Sequence, residues 1–325
     1  MFNFLLDDEF STGGFSNPKN FLRIELACTK PKHLICFKNW TSDMVTDIVE
    51  SAMNLKRSVQ DTHGKRLVLL ADSKVMILQE VNEPFLNMAV SKAATLLGAY
   101  DVNITDNLLW ENDYMGRIFS YMADAIFVAT VTHMCLQRFA EQSTVPVLCM
   151  RSRTHATIQA LATIMAINEE YKTLKDVNLA YFGSPHPVLN SYLLLSPMLG
   201  ANIRFKCCCE KSPVHPLLFK ASEDMCAQRH TGLKECMSKD DVLKDATVVI
   251  AGPTNEKKID EFKLSVEDIE AHTKAKWIFF HTGPRGHEVD DNLFLHKNSK
   301  TFDAFKNFQY IAAALMANVI KDHKF

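Results

Sequence analysis

Residues 177–205, VNLAYFGSPHPVLNSYLLLSPMLGANIRF, contain the pattern that decides the fold. Their apolar runs predict a strand at 177–182, a helix at 188–199 and a second strand at 202–205. Short apolar strands of this kind are typical of parallel sheets, which are buried on both faces. A strand, a helix and a further strand in this order predict an α/β fold with right-handed crossovers.

The same alternation extends along the chain from Trp40 onward. Further strands are predicted at 67–70, 125–128, 145–148, 247–250 and 277–280. Helices are predicted at 42–57, 84–97, 118–122, 134–142, 155–171 and 308–320. The long helix at 155–171 divides the pattern into two units, so the sequence predicts two doubly wound, parallel-sheet domains.

Composition and charge exclude several classes of function. The chain has 325 residues and a formal net charge of −2, which gives no general attraction to nucleic acid or to anionic membranes. No apolar run reaches the roughly 18–20 residues of a membrane span. The acidic cluster Asp7-Asp8-Glu9 follows a very short apolar run, unlike a secretory signal or a mitochondrial presequence. These features predict a cytoplasmic protein without nucleic-acid or membrane partners.

The cysteines do not indicate a metal centre. The nine cysteines lack paired spacing, so we interpret them as reduced thiols. A zinc site is conceivable where the chain reads Cys207-Cys208-Cys209, followed by His215, Cys226, His230 and Cys236. Adjacent cysteines are poor ligands for one tetrahedral ion, and no second C-x2-C pair completes the pattern. The sequence therefore predicts neither a metal site nor a cofactor.

Five motifs follow one another along the chain: SYMADA at 120–125, TIQALA at 157–162, LKDVNLAYFG at 174–183, FHTGPR at 280–285 and EVDDNLF at 288–294. In this order they resemble motifs of the ornithine transcarbamylase branch of the aspartate/ornithine carbamoyltransferase family, over residues 36–325. The resemblance implies two doubly wound domains of the transcarbamylase type, linked by two interdomain helices.

The resemblance also implies the domain boundaries and the assembly. The expected segments are an N-terminal extension at 1–35, a carbamoyl-phosphate-type domain at 36–155, an interdomain helix at 156–172, an amino-acid-type domain at 173–305, and a returning helix at 306–325. Family members are generally trimers, so a homotrimer is expected, with a hetero-oligomer containing an active relative as an alternative. The mitochondrial matrix is an alternative location.

The phosphate-binding arginines implied by the resemblance are replaced. The family's S-x-R-T-R helix start aligns with Glu83-Pro84-Phe85-Leu86-Asn87, and a third arginine aligns with Ala129. Charged hydrogen bonds contribute about 1.5–3 kcal/mol each. Losing three such anchors therefore costs roughly 4.5–9 kcal/mol, or about 10³–10⁶ in affinity.

The remaining family motifs are also altered. In the linking helix, Gln159 is kept, whereas Ala156 stands at the family's histidine and His155 lies one residue earlier. The D-G-N-N turn reads Ser184-Pro185-His186-Pro187, and the D-x-W-x-S-M-G loop begins at Ala251. In the H-C-L-P segment His281 is kept but the cysteine becomes Thr282, and the arginine of the last helix becomes Phe308.

These replacements predict a pseudoenzyme with a binding, regulatory or scaffold role and no catalytic residues. The cleft positions of interest are Glu83, Phe85, Asn87, Ala129, Gln159, Pro187, His281, Thr282 and Phe308. We interpret His281 as a satisfied residue at the end of a buried strand, and Phe85 and Phe308 as residues that fill the cleft. The alternatives are an enzyme or small-molecule-binding protein with a changed, unknown ligand, and weak residual carbamoyl transfer.

Overall fold

The computed structural model describes residues 32–62, 66–105, 114–207, 214–254, 259–273 and 276–325. Within them the chain forms two sheets whose paired strands all run parallel. The predicted α/β class, with two parallel-sheet domains, is therefore confirmed. Among the helices of these ranges, none combines the length and the apolar character that a membrane crossing requires.

The first domain is built on a four-stranded sheet in the order β2-β1-β3-β4. Its strands are β1 (Lys74–Gln79), β2 (Tyr100–Thr105), β3 (Ala125–Ala129) and β4 (Val147–Arg151). Its helices are α1 (Ser42–Asp61), α2 (Pro84–Leu97), α3 (Met115–Ser120) and α4 (His133–Gln142). The pairing of β1 with β3 lies at the centre of the sheet. Because the strands are parallel, the carboxyl ends of β1, β3 and β4 lie together at one edge of the domain.

Local sequence explains where the helices of this domain begin and end. Thr41 accepts a hydrogen bond from the Met44 N–H at 3.2 Å and so caps the start of α1. Pro84 occupies the first turn of α2, where a missing N–H carries no cost. Gly98 ends α2 with a φ of 84°, a left-handed conformation that glycine adopts without strain.

The predicted strand at 67–70 is wrong. The N–H groups of Leu67 and Leu70 donate to Leu96 O at 2.7 Å and to Leu97 O at 2.8 Å. This stretch therefore binds the last carbonyls of α2 rather than a neighbouring strand. The strand of the sheet is the next apolar run, β1, which the sequence analysis did not identify.

A short extended segment covers the outer edge of β4. Leu34 donates its N–H to Val147 O at 3.0 Å and accepts from the Cys149 N–H at 2.7 Å. The pairing is parallel and brings Leu34 beside Leu148. A 3-10 helix, Phe37–Asn39, follows directly, with Cys36 at its start.

The second domain contains a five-stranded sheet in the order β7-β6-β5-β8-β9. Its strands are β5 (Asn178–Gly183), β6 (Asn202–Cys207), β7 (Leu233–Glu235), β8 (Val248–Ala251) and β9 (Ile278–His281). Its helices are α6 (Pro187–Met198), α7 (Pro216–Arg229), α8 (Lys239–Leu243), α9 (Ile259–Phe262), α10 (Val266–His272) and α11 (Asp291–Phe294). The predicted unit at 177–205 corresponds to β5, α6 and β6 within one or two residues at each end.

Two helices join the domains: α5 (Thr157–Tyr171) and α12 (Thr301–Lys321). Lys56 of α1 donates to Glu169 of α5 at 2.7 Å and to Asn307 of α12 at 2.8 Å. Because α12 begins at Thr301, the expected boundary at 306 falls inside a helix. The predicted helix at 155–171 corresponds to α5, which begins two residues later, so His155 precedes the helix.

Candidate functional site

The cleft between the domains lies at the carboxyl ends of strands from both sheets. It contains a cavity of about 300 Å³. The lining residues come from the ends of β1, β3 and β4 and from the turn after β5, and they are Val81, Thr130, Val131, Arg151, Ser152, Arg153, Pro185 and Pro187. This edge is where open parallel sheets of α/β proteins bind ligands.

An ion pair stands at the start of α2. Arg151, the last residue of β4, donates a short hydrogen bond to the carboxylate of Glu83, the residue before α2. The Glu83 side chain is 17% exposed and the Arg151 side chain 35% exposed. Burial raises the pKa of Glu83, and the opposing charge of Arg151 reduces this shift without cancelling it. The pair therefore places the Glu83 carboxylate against Arg151, so this guanidinium already has an internal counter-charge.

The turn after β3 is held by a second carboxylate. Glu80 accepts hydrogen bonds from Thr130 Oγ1 at 2.6 Å and from the Val131 N–H at 2.9 Å. Ala129 precedes them and is fully buried, and it lies opposite Arg151 in the pairing of β3 with β4. Ala129, which replaces a family arginine, therefore lies beside Arg151 of the adjacent strand.

Phe85 and Asn87 do not line the cavity. Phe85 is 69% exposed, and its ring lies 5.9 Å from that of Phe305. Both residues border an open surface groove between α2 and α12. The expectation that Phe85 fills the cleft is therefore wrong, because its place in the first turn of α2 turns the ring towards solvent.

Phe308 does fill space between the domains. It is 4% exposed, and its ring lies 5.1 Å from that of Phe305. The cavity beside it measures only about 10 Å³, and its other lining residues include Gln159, Thr163, Tyr192, His281 and Thr282. Even one ordered water needs a volume of about 10–15 Å³, so this part of the cleft is closed to any larger molecule.

His281, at the end of β9, has a hydrogen-bond partner at each ring nitrogen. Its Nε2 lies 2.9 Å from Glu288 Oε1, and its Nδ1 accepts a hydrogen bond from the Gly283 N–H at 2.9 Å. The carboxylate of Glu288 also accepts from the Gly286 N–H at 2.8 Å. Burial alone would raise the pKa of Glu288, but the hydrogen bonds from His281 and Gly286 bring it below its ordinary value. His281 is thus held as part of a buried turn.

Gln159 and Thr282 connect the two domains across this closed region. Gln159 Nε2 donates to Thr282 O at 2.7 Å, which ties α5 to the turn after β9. The Thr282 hydroxyl is buried and has no hydrogen-bond partner within the described part of the chain. Gln159, which the family motif retains, therefore makes a hydrogen bond within the protein.

His186 caps a helix beside the cavity. Its Nδ1 accepts a hydrogen bond from the Val188 N–H at 3.2 Å, and Pro187 begins α6. Burial, followed by the charges of Arg151 and His281, lowers the pKa of His186 to about 3. A neutral imidazole is therefore fixed where the family motif would place a ligand residue.

Sequence reasoning missed Arg151, Thr130 and Glu80. Each of these residues lies at or just after the carboxyl end of a strand. That position is the sequence signal that could have identified them. Of the cysteine-rich stretch considered for zinc, Cys208 and Cys209 lie outside the described residues. Within the described ranges, the metal-ligand grouping that the structure brings together is a different one, formed by Cys36, His133 and His155.

The protein has two parallel-sheet domains that meet at a cleft and are joined by two helices. This arrangement is a transcarbamylase-type α/β fold. Ornithine carbamoyltransferase from Pyrococcus furiosus superposes with a TM-score of 0.84 at 23% identity, covering 91% of this chain and 99% of that one. Ornithine carbamoyltransferase from Gloeobacter violaceus gives a TM-score of 0.80 at 16% identity, with 90% and 100% covered.

Sequence comparison agrees with the fold. A family model described as "Aspartate/ornithine carbamoyltransferase, Asp/Orn binding domain" matches residues 175–319. Mitochondrial ornithine transcarbamylase from Gallus gallus is 24% identical over 313 residues, which cover 91% of this chain and 88% of the relative. An ornithine carbamoyltransferase from Prochlorococcus marinus is 27% identical over 308 residues, covering 89% and 98%. Over most of its length the chain is therefore similar to ornithine carbamoyltransferases, and its second domain matches the family model.

Proposed function

We propose that this chain is a non-catalytic member of the aspartate/ornithine carbamoyltransferase family, a pseudoenzyme with a binding, regulatory or scaffold role. The observation that carries the proposal is the ion pair of Glu83 with Arg151 at the start of α2. A dianionic phosphate at this helix start would have to displace the Glu83 carboxylate, and the same carboxylate would repel it. Ala129, Phe85 and Asn87 offer no compensating cation at the positions of the family's arginines.

The other side of the cleft supports the same proposal. Its residues are already committed to contacts within the protein: His186 caps α6, His281 binds Glu288, and Gln159 binds Thr282. Phe308 leaves a cavity of only about 10 Å³ beside His281 and Gln159. An amino-acid substrate would therefore have to break several buried hydrogen bonds and move an aromatic ring, each at a cost of about 1–3 kcal/mol.

Calorimetric titration with carbamoyl phosphate is the direct test. We expect no binding in the micromolar range and no citrulline from carbamoyl phosphate and ornithine. The citrulline assay also measures the weak residual transfer that the sequence leaves open. Micromolar binding of carbamoyl phosphate, or turnover above the uncatalysed rate, would overturn the proposal.

A matched pair of variants tests the role of Glu83. Glu83→Gln removes the internal anion, so Arg151 becomes available to phosphate and should bind inorganic phosphate roughly 10–100-fold more tightly than the wild type. The double variant Glu83→Gln with Arg151→Gln should return to the wild-type affinity. Equal phosphate binding by all three proteins would show that Glu83 does not block the site.

A second candidate function is the binding or conversion of a changed substrate. The cavity of about 300 Å³ favours it, because Arg151 and Arg153 line a space large enough for a small anion. A thermal-shift survey of small carboxylates and phosphates would discriminate between the two functions. A ligand that raises the melting temperature of the wild type, but not of Arg153→Gln, would favour this candidate over the pseudoenzyme.

The assembly and the location also belong to the proposal. A homotrimer, or a hetero-oligomer with an active relative, is supported by exposed apolar side chains on α2, namely Phe85 and Met88, each 69% exposed. Light scattering after size exclusion, alone and with such a relative, tests both assemblies. The reduced thiols support a cytoplasmic location, and the mitochondrial name of the Gallus gallus relative supports the alternative.

A further inference from the structure

Two buried histidines and a cysteine meet beside the first sheet. One ligand atom from each of Cys36, His133 and His155 lies within 4.8 Å of both others. We propose that these three side chains form a binding site for a divalent transition-metal cation, with Zn²⁺ as the ion that suits them best. The proposal is independent of the pseudoenzyme hypothesis, and it departs from the expectation that the chain has no metal site.

The donor set fits zinc chemistry. A thiolate and two imidazoles are ligands that Zn²⁺ prefers, and three protein ligands leave one position open. Bond lengths of about 2.0–2.3 Å in a tetrahedral site put neighbouring ligand atoms roughly 3.3–3.8 Å apart. The separations here are at most 4.8 Å, so the three ligand atoms would have to approach one another by up to about 1–1.5 Å to bind the ion.

Three separate segments hold the ligands in place. Cys36 begins the 3-10 helix, and Leu34, two residues earlier, is hydrogen-bonded to β4 on both sides. His133 is the first residue of α4. His155 lies in the turn between β4 and α5, and its ring stands 5.2 Å from that of His133. The cluster therefore lies where these three segments meet beside β4.

Each histidine has a hydroxyl partner of the kind that orients metal ligands. His133 Nδ1 lies 3.0 Å from Ser152 Oγ, and His155 Nδ1 lies 3.4 Å from Ser191 Oγ. A serine oxygen can accept from an Nδ1–H, so both contacts are compatible with an Nε2 lone pair available to a cation. Ser191 belongs to α6 of the second domain, which means that an ion bound here would also brace the domain contact.

Both histidines of the cluster are buried. The half-buried Cys36 places its thiol beside them.

Titration of the metal-stripped, reduced protein with Co²⁺ tests the site, because thiolate-bound cobalt gives a charge-transfer absorption. We expect this band to saturate and to disappear when Zn²⁺ is added. Cys36→Ala should lose one equivalent of bound ion, and His133→Gln should weaken binding by more than about 100-fold. Cys135→Ser, a change of another half-buried cysteine on α4, is the matched control and should bind like the wild type.

The stretch Cys207–Cys209 could bind ions of its own, so stoichiometry decides the outcome. If Cys36→Ala binds as many equivalents of Co²⁺ as the wild type with the same spectrum, the proposal is overturned. Circular dichroism of the metal-free variants shows whether each is folded. If His133→Gln does not fold, Cys36→Ala carries the test alone, because a half-buried side chain tolerates truncation.

Discussion

Among single side chains, His186 ties the stability of the cleft to pH. It is buried as the cap of α6, and its pKa falls to about 3 from an ordinary value of 6.5. Below pH 6.5 His186 is protonated in the unfolded chain but stays neutral in the folded chain. The contribution of His186 is therefore fully present above pH 6.5 and is lost as the pH falls from 6.5 towards 3.

Replacing His186 with asparagine should remove this dependence. Asparagine keeps a side-chain acceptor for the Val188 N–H but does not titrate. Between pH 6.5 and pH 5 the wild type should lose roughly 1.5–2 kcal/mol of unfolding free energy more than His186→Asn does. Urea unfolding at a series of pH values measures the difference. Parallel pH profiles for the two proteins would contradict the prediction.

The sequence indicates which ligand residues are replaced, but not what their neighbours do instead. Aligning Ala129 and Asn87 with arginines requires only the order of motifs. The pairing of Glu83 with Arg151 joins residues 68 positions apart, and it depends on the contact of β4 with the start of α2. No local pattern around Arg151 indicates that partner, so this part of the site had to come from the structure.

Among the helices, a largely buried set of polar side chains, Lys56, Glu169 and Asn307, links α1, α5 and α12. Lys56 is 12% exposed and Glu169 27% exposed, and Asn307 donates to Glu169 at 3.1 Å. Glu169→Gln would leave the lysine charge inside without a counter-charge. We expect a loss of about 2 kcal/mol in unfolding free energy, measured by urea denaturation.

The exposed pair of Asp47 and Lys324 provides the control for this prediction. Their side chains are 42% and 55% exposed, so Asp47→Asn should change stability by less than about 0.5 kcal/mol. Similar losses for the two variants would mean that burial of the Lys56 charge is not the cause.

Local patterns predicted β5, α6 and β6 from adjacent apolar runs, and α2 from Pro84 and Gly98. They did not predict β1, although its residues after Lys74 are all buried. β2 was missed because it is an edge strand whose side chains are largely exposed, so its residues carry no continuous apolar signal. α12 begins earlier than predicted because Thr301, Ala304 and Asn307 are buried although two of them are polar.

At the scale of the whole molecule, Phe308 fills the space between the two domains. It is 4% exposed beside a cavity of only about 10 Å³. Phe308→Ala should cost about 3–5 kcal/mol in unfolding free energy, because it removes a buried ring and leaves a void. Phe302→Ala, a truncation of a 58% exposed ring on the same helix, is the control and should cost far less.

The same variant also tests whether the cleft is filled. A new apolar void should accept a small apolar molecule, so benzene should raise the melting temperature of Phe308→Ala but not of the wild type. Stabilisation of the wild type by benzene would mean that an apolar space already exists there. The fold class was predictable from strand and helix order, whereas this filling depends on contacts between residues far apart in the chain.

The segment around Leu34 has a consequence for solubility. Strand edges with unpaired N–H and C=O groups recruit strands from other molecules, and an extended segment laid along β4 occupies those groups. A proteolytic cut or a truncation just after Leu34 would uncover a strand made almost entirely of buried apolar residues. The shortened protein would then be prone to aggregate through this edge, even with every helix of the first domain still in place.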